Sequence, residues 1–129
     1  MQQNPHLSEE QKRVLFNKAT EQPGTGKFLN HNENGDYTCA NCGAKLFNSS
    51  AKYESREPGL IGWPSFDQAI DGAITEKPDN SMGMQRTEIV CTKCGGHLGH
   101  VFAADDAPSG THYCVNSASL DFLKNELNN

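Results

Sequence analysis

The alternation of apolar and polar positions along this 129-residue chain is helical near its start and strand-like wherever else it is regular. Ser8-Glu9-Glu10-Gln11 has the capping-box arrangement, in which the serine hydroxyl accepts from the amide three residues on and the glutamine reaches back. It predicts a helix over about 9–19, with acidic residues at the positive end of the dipole and Pro23-Gly24 barring continuation. Gly24 to Gly35 is rich in Gly and Asn and predicts a loop, and Tyr37-Thr38 predicts a short strand after it. Arg86-Thr87-Glu88-Ile89-Val90 and His100-Val101-Phe102-Ala103, β-branched and aromatic between turn residues, predict two more. Around Tyr113-Cys114-Val115-Asn116 the alternation puts His112, Cys114 and Asn116 on one face and Tyr113 and Val115 on the other. With the apolar pair inward, the Cys114 thiol is expected on an accessible face. The pattern predicts a mainly β, single domain over 1–129 with one N-terminal helix.

Two segments repeat the pattern Cys-x-x-Cys-Gly-x-x-Leu: Cys39-Ala40-Asn41-Cys42-Gly43-Ala44-Lys45-Leu46 and Cys91-Thr92-Lys93-Cys94-Gly95-Gly96-His97-Leu98. The glycine permits the tight turn that points amides at sulfur, and the leucine returns to the core. Cys39, Cys42, Cys91 and Cys94 are therefore the expected ligands of one structural Zn2+, clipping together knuckles separated by 48 residues. A rubredoxin-like iron site takes the same ligands and remains open. Five cysteines less these four leave Cys114, in a polar, hydroxyl-rich segment where a thiol is either an inert core residue or a nucleophile.

Composition narrows the picture further. The chain has 35% hydrophobic residues, 12 glycines and a mean hydropathy of −0.69, which describe a turn-rich protein with a small core that a metal would staple. A net charge of −5 with 11 scattered basic residues disfavours nucleic acid. The polar Met1–Lys12 lacks the pattern of a secretory signal, and no stretch reaches the length of a membrane span, so the expectation is a cytoplasmic protein without membrane partners. His6 and His31 lie in polar segments and are expected to face solvent. Gly96-His97-Leu98-Gly99-His100 concentrates two histidines that converge only if Gly99 bends the strand. Trp63, the only tryptophan, lies in Gly62-Trp63-Pro64-Ser65-Phe66; taken alone it reads as a packing residue.

In order and spacing, the two knuckles, Gly62-Trp63-Pro64-Ser65-Phe66, Gly96-His97-Leu98-Gly99-His100-Val101-Phe102 and Tyr113-Cys114-Val115-Asn116-Ser117-Ala118-Ser119-Leu120 together resemble the methionine sulfoxide reductase B family, from the helix through Phe122. The resemblance implies two antiparallel sheets stapled by the four-cysteine zinc site. It implies an oxidoreductase that reduces the R epimer of methionine sulfoxide, chiefly in proteins, through a Cys114 sulfenic acid regenerated by thioredoxin or another thiol. It further implies that Cys114 attacks sulfur, Trp63 packs on the substrate methyl with Phe66 beside it, and His97, His100 and Asn116 organise the oxygen side. Two positions depart from the family pattern. Ile61 stands where many members carry a resolving cysteine, after an approach 55–62 that looks lengthened, and His112 stands where arginine is commoner. A non-catalytic zinc scaffold remains the alternative, although it leaves Cys114, the histidines and Trp63 without a common purpose.

Overall fold

Ser8 Oγ accepts from the Gln11 amide at 3.1 Å while its own amide donates to Gln11 Oε1 at 2.8 Å, closing the capping box and starting helix α1 (Glu9–Asn17). The computed structural model describes residues 4–54, 62–80, 83, 85–103 and 107–124. The helix ends two residues before the expected 19. Lys18 adopts the left-handed conformation at φ 60°, and the Ala19 amide folds back to the Arg13 carbonyl at 3.1 Å. Val14 and Leu15 are the buried side chains of α1, which lies against the six-stranded sheet described below and the 3-10 turn at 117–119.

Nine strands are present among the described residues: β1 (Gly35–Cys39), β2 (Lys45–Asn48), β3 (Lys52–Tyr53), β4 (Ser65–Phe66), β5 (Ile74–Asp79), β6 (Arg86–Cys91), β7 (His97–Ala103), β8 (Thr111–Val115) and β9 (Leu120–Lys124). They form a three-stranded sheet, β2-β1-β9, and a six-stranded sheet, β3-β4-β8-β7-β6-β5, antiparallel throughout. The expected mainly β architecture of two sheets and one helix is therefore what the chain adopts. Strand β5 escaped the sequence pattern because Glu76, Lys77 and Pro78 are poor strand formers; it forms an edge, where proline is tolerated. The sheets meet through aromatic packing. Phe47 of β2 stacks on Phe66 of β4 at 4.3 Å between centroids, and Tyr37 of β1 meets Phe66 edge-on at 5.1 Å. His31, expected in solvent, is drawn into this aromatic region by Phe122 at 4.4 Å and by a 2.7 Å hydrogen bond between Nδ1 and the Tyr37 hydroxyl.

A bulge in β7 gives the six-stranded sheet its functional geometry. Glu88 opposes His100 and Ile89 opposes Gly99, but Val90 opposes His97, leaving Leu98 as the extra residue. Leu98 enters the core, and the His97 and His100 rings come to 5.6 Å of one another. On the other side β7 pairs with β8, His100 opposite Cys114, and Cys114 is also opposite Ser65. The expected accessible face of β8 is instead largely covered: His112 and Asn116 are buried and Cys114 is partly buried. Residues 20–28 and the Trp63 loop supply part of that cover, and no described helix is long and apolar enough to cross a membrane.

Gly99 lets β7 approach β8 closely, because a Cβ there would lie 2.0 Å from the Cys114 carbonyl oxygen, a backbone atom that cannot swing aside. Gly99→Ala is therefore expected to destabilise the fold by about 1–3 kcal/mol or more, read as a lower urea midpoint. An unchanged midpoint would mean that the two strands are not held this closely.

Candidate active site and metal centre

The two knuckles are built alike. The Gly43 amide donates to the Cys39 carbonyl at 2.8 Å and the Gly95 amide to the Cys91 carbonyl at 2.7 Å, with φ of 81° and 80° at the two glycines. The Cys39 amide then reaches Ala44 and the Cys91 amide reaches Gly96 in the same sense. The ligand atoms of Cys39, Cys42, Cys91 and Cys94 all lie within 4.8 Å of one another. Cys39 Sγ is 3.7 Å from Cys94 Sγ, and Cys42 Sγ is 3.6 Å from Cys91 Sγ. Tetrahedral thiolates at about 2.3 Å from a metal stand about 3.8 Å apart, so the donor set fits a closed four-sulfur site. The Cys39 contact and backbone amides draw the Cys91 thiol down to about 5 despite its burial, and that contact with Cys91, together with burial, pushes Cys39 up.

Cys114 lies outside this cluster and opens onto a cavity of about 90 Å³ shared with Trp63, His100, Phe102, Arg86 and Asn116. Four expected site residues, Cys114, Trp63, His100 and Asn116, are thus brought together. His97 is not among the lining residues. It lies behind His100, buried, with its Nδ1 2.7 Å from Glu88 Oε2 and no hydrogen-bond partner at Nε2 among the described residues. Phe66 is on the opposite face of the sheet, fully buried against Phe47, and the aromatic ring beside the cavity is Phe102.

Carboxylates orient both imidazoles. His100 Nε2 is 2.7 Å from Asp79 Oδ2, which also receives Arg86 at 3.3 Å, and the second oxygen of Glu88 meets Lys18 Nζ at 3.3 Å. Each carboxylate favours a proton on the nitrogen it faces and so selects the tautomer. Burial nevertheless pushes His97 towards the neutral form, outweighing Glu88. Asn116 is committed to the scaffold: its amide nitrogen donates to the Leu98 carbonyl at 3.0 Å and its oxygen accepts from the Glu21 amide at 3.0 Å. Trp63 Nε1 donates to the Glu21 carbonyl at 2.9 Å. His112 is fully buried, its ring 5.4 Å from Tyr53 and 6.5 Å from Phe102.

The surroundings of Cys114 disfavour the charged form of its thiol. Burial, reinforced by the charge of Glu21, pushes this thiol up to about 12, so at neutral pH it is protonated. Sequence reasoning also missed Glu21, Asp79, Arg86, Glu88 and Phe102. For Arg86 and Glu88 a signal was present, because two charges at alternate positions of a predicted strand must share a face that is not apolar core. Asp79 and Glu21 gave none; one ends the unrecognised edge strand and the other sits in irregular chain. The expected departure at Ile61 lies outside the described residues, as does most of the 55–62 approach.

The SelR domain family model matches residues 7–124. The chain is 52% identical over 119 residues to "Peptide methionine sulfoxide reductase MsrB" of Leptospira interrogans, covering 92% of this chain and 88% of that protein. It is 50% identical to the protein of the same name from Thiobacillus denitrificans, covering 90% and 86% respectively. It is 47% identical to "Peptide methionine sulfoxide reductase 2" of Saccharomyces cerevisiae, covering 94% and 74%. Among solved structures, the crystal structure of the Mis18 "Yippee-like" domain superposes with a TM-score of 0.55 over 72% of this chain and 98% of that one; at 17% identity the likeness is one of fold.

A metal held by the four cysteines contributes about 10–16 kcal/mol in small sites, as much as the roughly 5–15 kcal/mol stability of a whole domain. Stripping it with a chelator is expected to abolish the cooperative thermal transition followed by circular dichroism. A superimposable melt before and after removal would show that the cluster is not a structural staple.

Proposed function

The chain belongs to the methionine sulfoxide reductase B family, and we propose that it reduces the R epimer of methionine sulfoxide, chiefly in proteins, to methionine with Cys114 as the nucleophile. The observation that carries this reading is the opening of Cys114, Trp63 and His100 onto one small cavity, apart from the four-cysteine cluster. The indole offers an apolar plate for the substrate methyl, and Arg86 borders the same space with N–H groups suited to the sulfoxide oxygen. A neutral Cys114 suits the chemistry. Its sulfur bonds to the sulfoxide sulfur as the oxygen takes up a proton, and the oxygen then ends on Cys114, so that thiol plus sulfoxide becomes sulfenic acid plus thioether. The thiol proton balances the step. We assign the passing of that proton to His100, because it borders the cavity, and assign His97, held by Glu88, the task of orienting it.

The sulfenic acid is reduced in two exchanges: one external thiol forms a mixed disulfide and releases water, and a second releases Cys114 as the thiol. A dithiol of the thioredoxin class supplies both. The other four cysteines are committed to the cluster, which supports direct external reduction without an intrachain disulfide. Cys39, Cys42, Cys91 and Cys94 are proposed to hold Zn2+, whose contribution is mechanical, and the reducing cytoplasm is the compartment that suits these thiols.

Mixed with dithiothreitol and a racemic methionine sulfoxide peptide, the protein is expected to consume one epimer. Cys114→Ser should lose essentially all turnover while retaining its metal. Consumption of neither epimer, or full activity in the serine variant, would refute the assignment. Cys114 alkylation by iodoacetamide, measured against the serine variant, is expected to accelerate about tenfold per pH unit from 7 to 9 without a plateau. A plateau below pH 9 would contradict a thiol raised to about 12 by burial and Glu21. If His112 assists the thiolate when protonated, activity should fall more steeply with rising pH than in His112→Arg, whose cation persists. Identical profiles would rule that assistance out.

A further inference from the structure

We infer that Glu21 is a positioning residue that sets the Trp63 wall of the cavity relative to the Cys114–Asn116 wall. Its main chain touches both walls: the carbonyl accepts from Trp63 Nε1 at 2.9 Å and the amide donates to Asn116 Oδ1 at 3.0 Å. The side chain fixes that main chain in place, since Oε2 accepts from the Ser117 amide at 2.8 Å and Oε1 from the Ala118 amide at 3.1 Å. The contacts to residues 116–118 span 95 to 97 residues of sequence and bring the segment after α1 onto the turn that follows Cys114.

The need for a carboxylate here follows from what Asn116 does elsewhere. Asn116 precedes the 3-10 turn Ser117–Ser119, a position from which asparagine ordinarily caps the first amides, yet it makes no side-chain cap hydrogen bond. Its amide is committed instead to Leu98 and Glu21. The Ser117 and Ala118 amides would be left over, and Glu21 takes them. Those two hydrogen bonds in turn offset part of the cost of burying a carboxylate that is only 5% exposed; the remaining desolvation leaves Glu21 above the usual carboxylate range. The strap packs closely against this turn. A Cβ on Gly26 would stand 2.2 Å from Ser117 Oγ and 2.6 Å from Glu21 Oε2, and the Phe28 amide donates to Ser117 Oγ at 3.2 Å. At the other wall, the Gly24 amide donates to the Gly62 carbonyl at 2.8 Å, and a Cβ on Gly62 would meet Pro23 at 2.6 Å. Residues 21–28 thus form a strap seated on both sides of the cavity, with the Glu21 carboxylate as its anchor.

Trp63 is the only tryptophan, so its fluorescence reports this wall alone. The inference rests on the reductase reading for the statement that Trp63 meets substrate, but the optical readout does not. In the metal-loaded protein, well below its melting temperature, Glu21→Ala is expected to raise acrylamide quenching of Trp63 severalfold. It should raise KM for the sulfoxide peptide about tenfold, with a smaller change in kcat, as befits lost substrate positioning. Glu21→Gln keeps one acceptor oxygen and should fall between the two; should the alanine variant fail to fold, the glutamine variant decides. Variants that retain wild-type quenching and KM, even with a lowered melting temperature, would overturn the inference. A wild-type protein inactive on the peptide would sink the reductase reading, while the quenching comparison would still test the anchor.

Discussion

The convergence of four sulfurs constrains everything else in this molecule. Cys39 ends β1 in the three-stranded sheet and Cys91 ends β6 in the six-stranded one, so the cluster fastens two sheets otherwise joined by an aromatic core. The second knuckle also runs directly into β7. Gly96, against which Leu15 of α1 packs, is followed at once by His97, and the bulge at Leu98 comes next. The position of both imidazoles is therefore set within a few residues of the sulfur site, and β8 inherits its register from β7. Cys114 is placed by that register opposite His100.

This arrangement separates two uses of cysteine by environment. Four thiols crowd together with backbone amides aimed at sulfur, a donor set whose spacing fits a bound cation. The fifth is kept apart, partly buried beside an anionic residue, and is held protonated. Burial and that charge lower the thiolate fraction of this thiol, and the proposed sulfoxide substrate brings both an electrophilic sulfur and an oxygen able to take the proton. Under the proposed function, reactivity comes from assembling groups around the substrate. A standing thiolate in the resting protein is not required.

The parts of this organisation that could be read from the sequence were those carried by local chemistry. The repeated Cys-x-x-Cys-Gly-x-x-Leu pattern identified the cluster because the spacing itself builds the knuckle, and Ser8 with Gln11 marked the start of α1. That the chain must depart from a straight strand between His97 and His100 was also legible, but the departure is a bulge at Leu98, and Gly99, expected to bend the chain, instead permits the close approach of β8. What could not be read were contacts whose partners are distant in sequence. Glu21 bonds to residues 116–118, Asp79 to His100 from a polar edge strand, and Glu88 to Lys18, and none of these pairs leaves a periodic trace. The face of β8 was misread for the same reason: alternation told which residues share a side but not that residues 20–28 and the Trp63 loop would cover it.

The division of labour among the sulfurs is tested most directly by trapping the oxidised protein. One equivalent of a methionine R-sulfoxide peptide, added without reductant and in the presence of dimedone, should give a single sulfenic acid adduct. Peptide mapping should place it on Cys114, with the other four cysteines unmodified and the bound metal retained. An adduct on Cys39, Cys42, Cys91 or Cys94, or a disulfide from Cys114 to one of them with release of metal, would contradict the account.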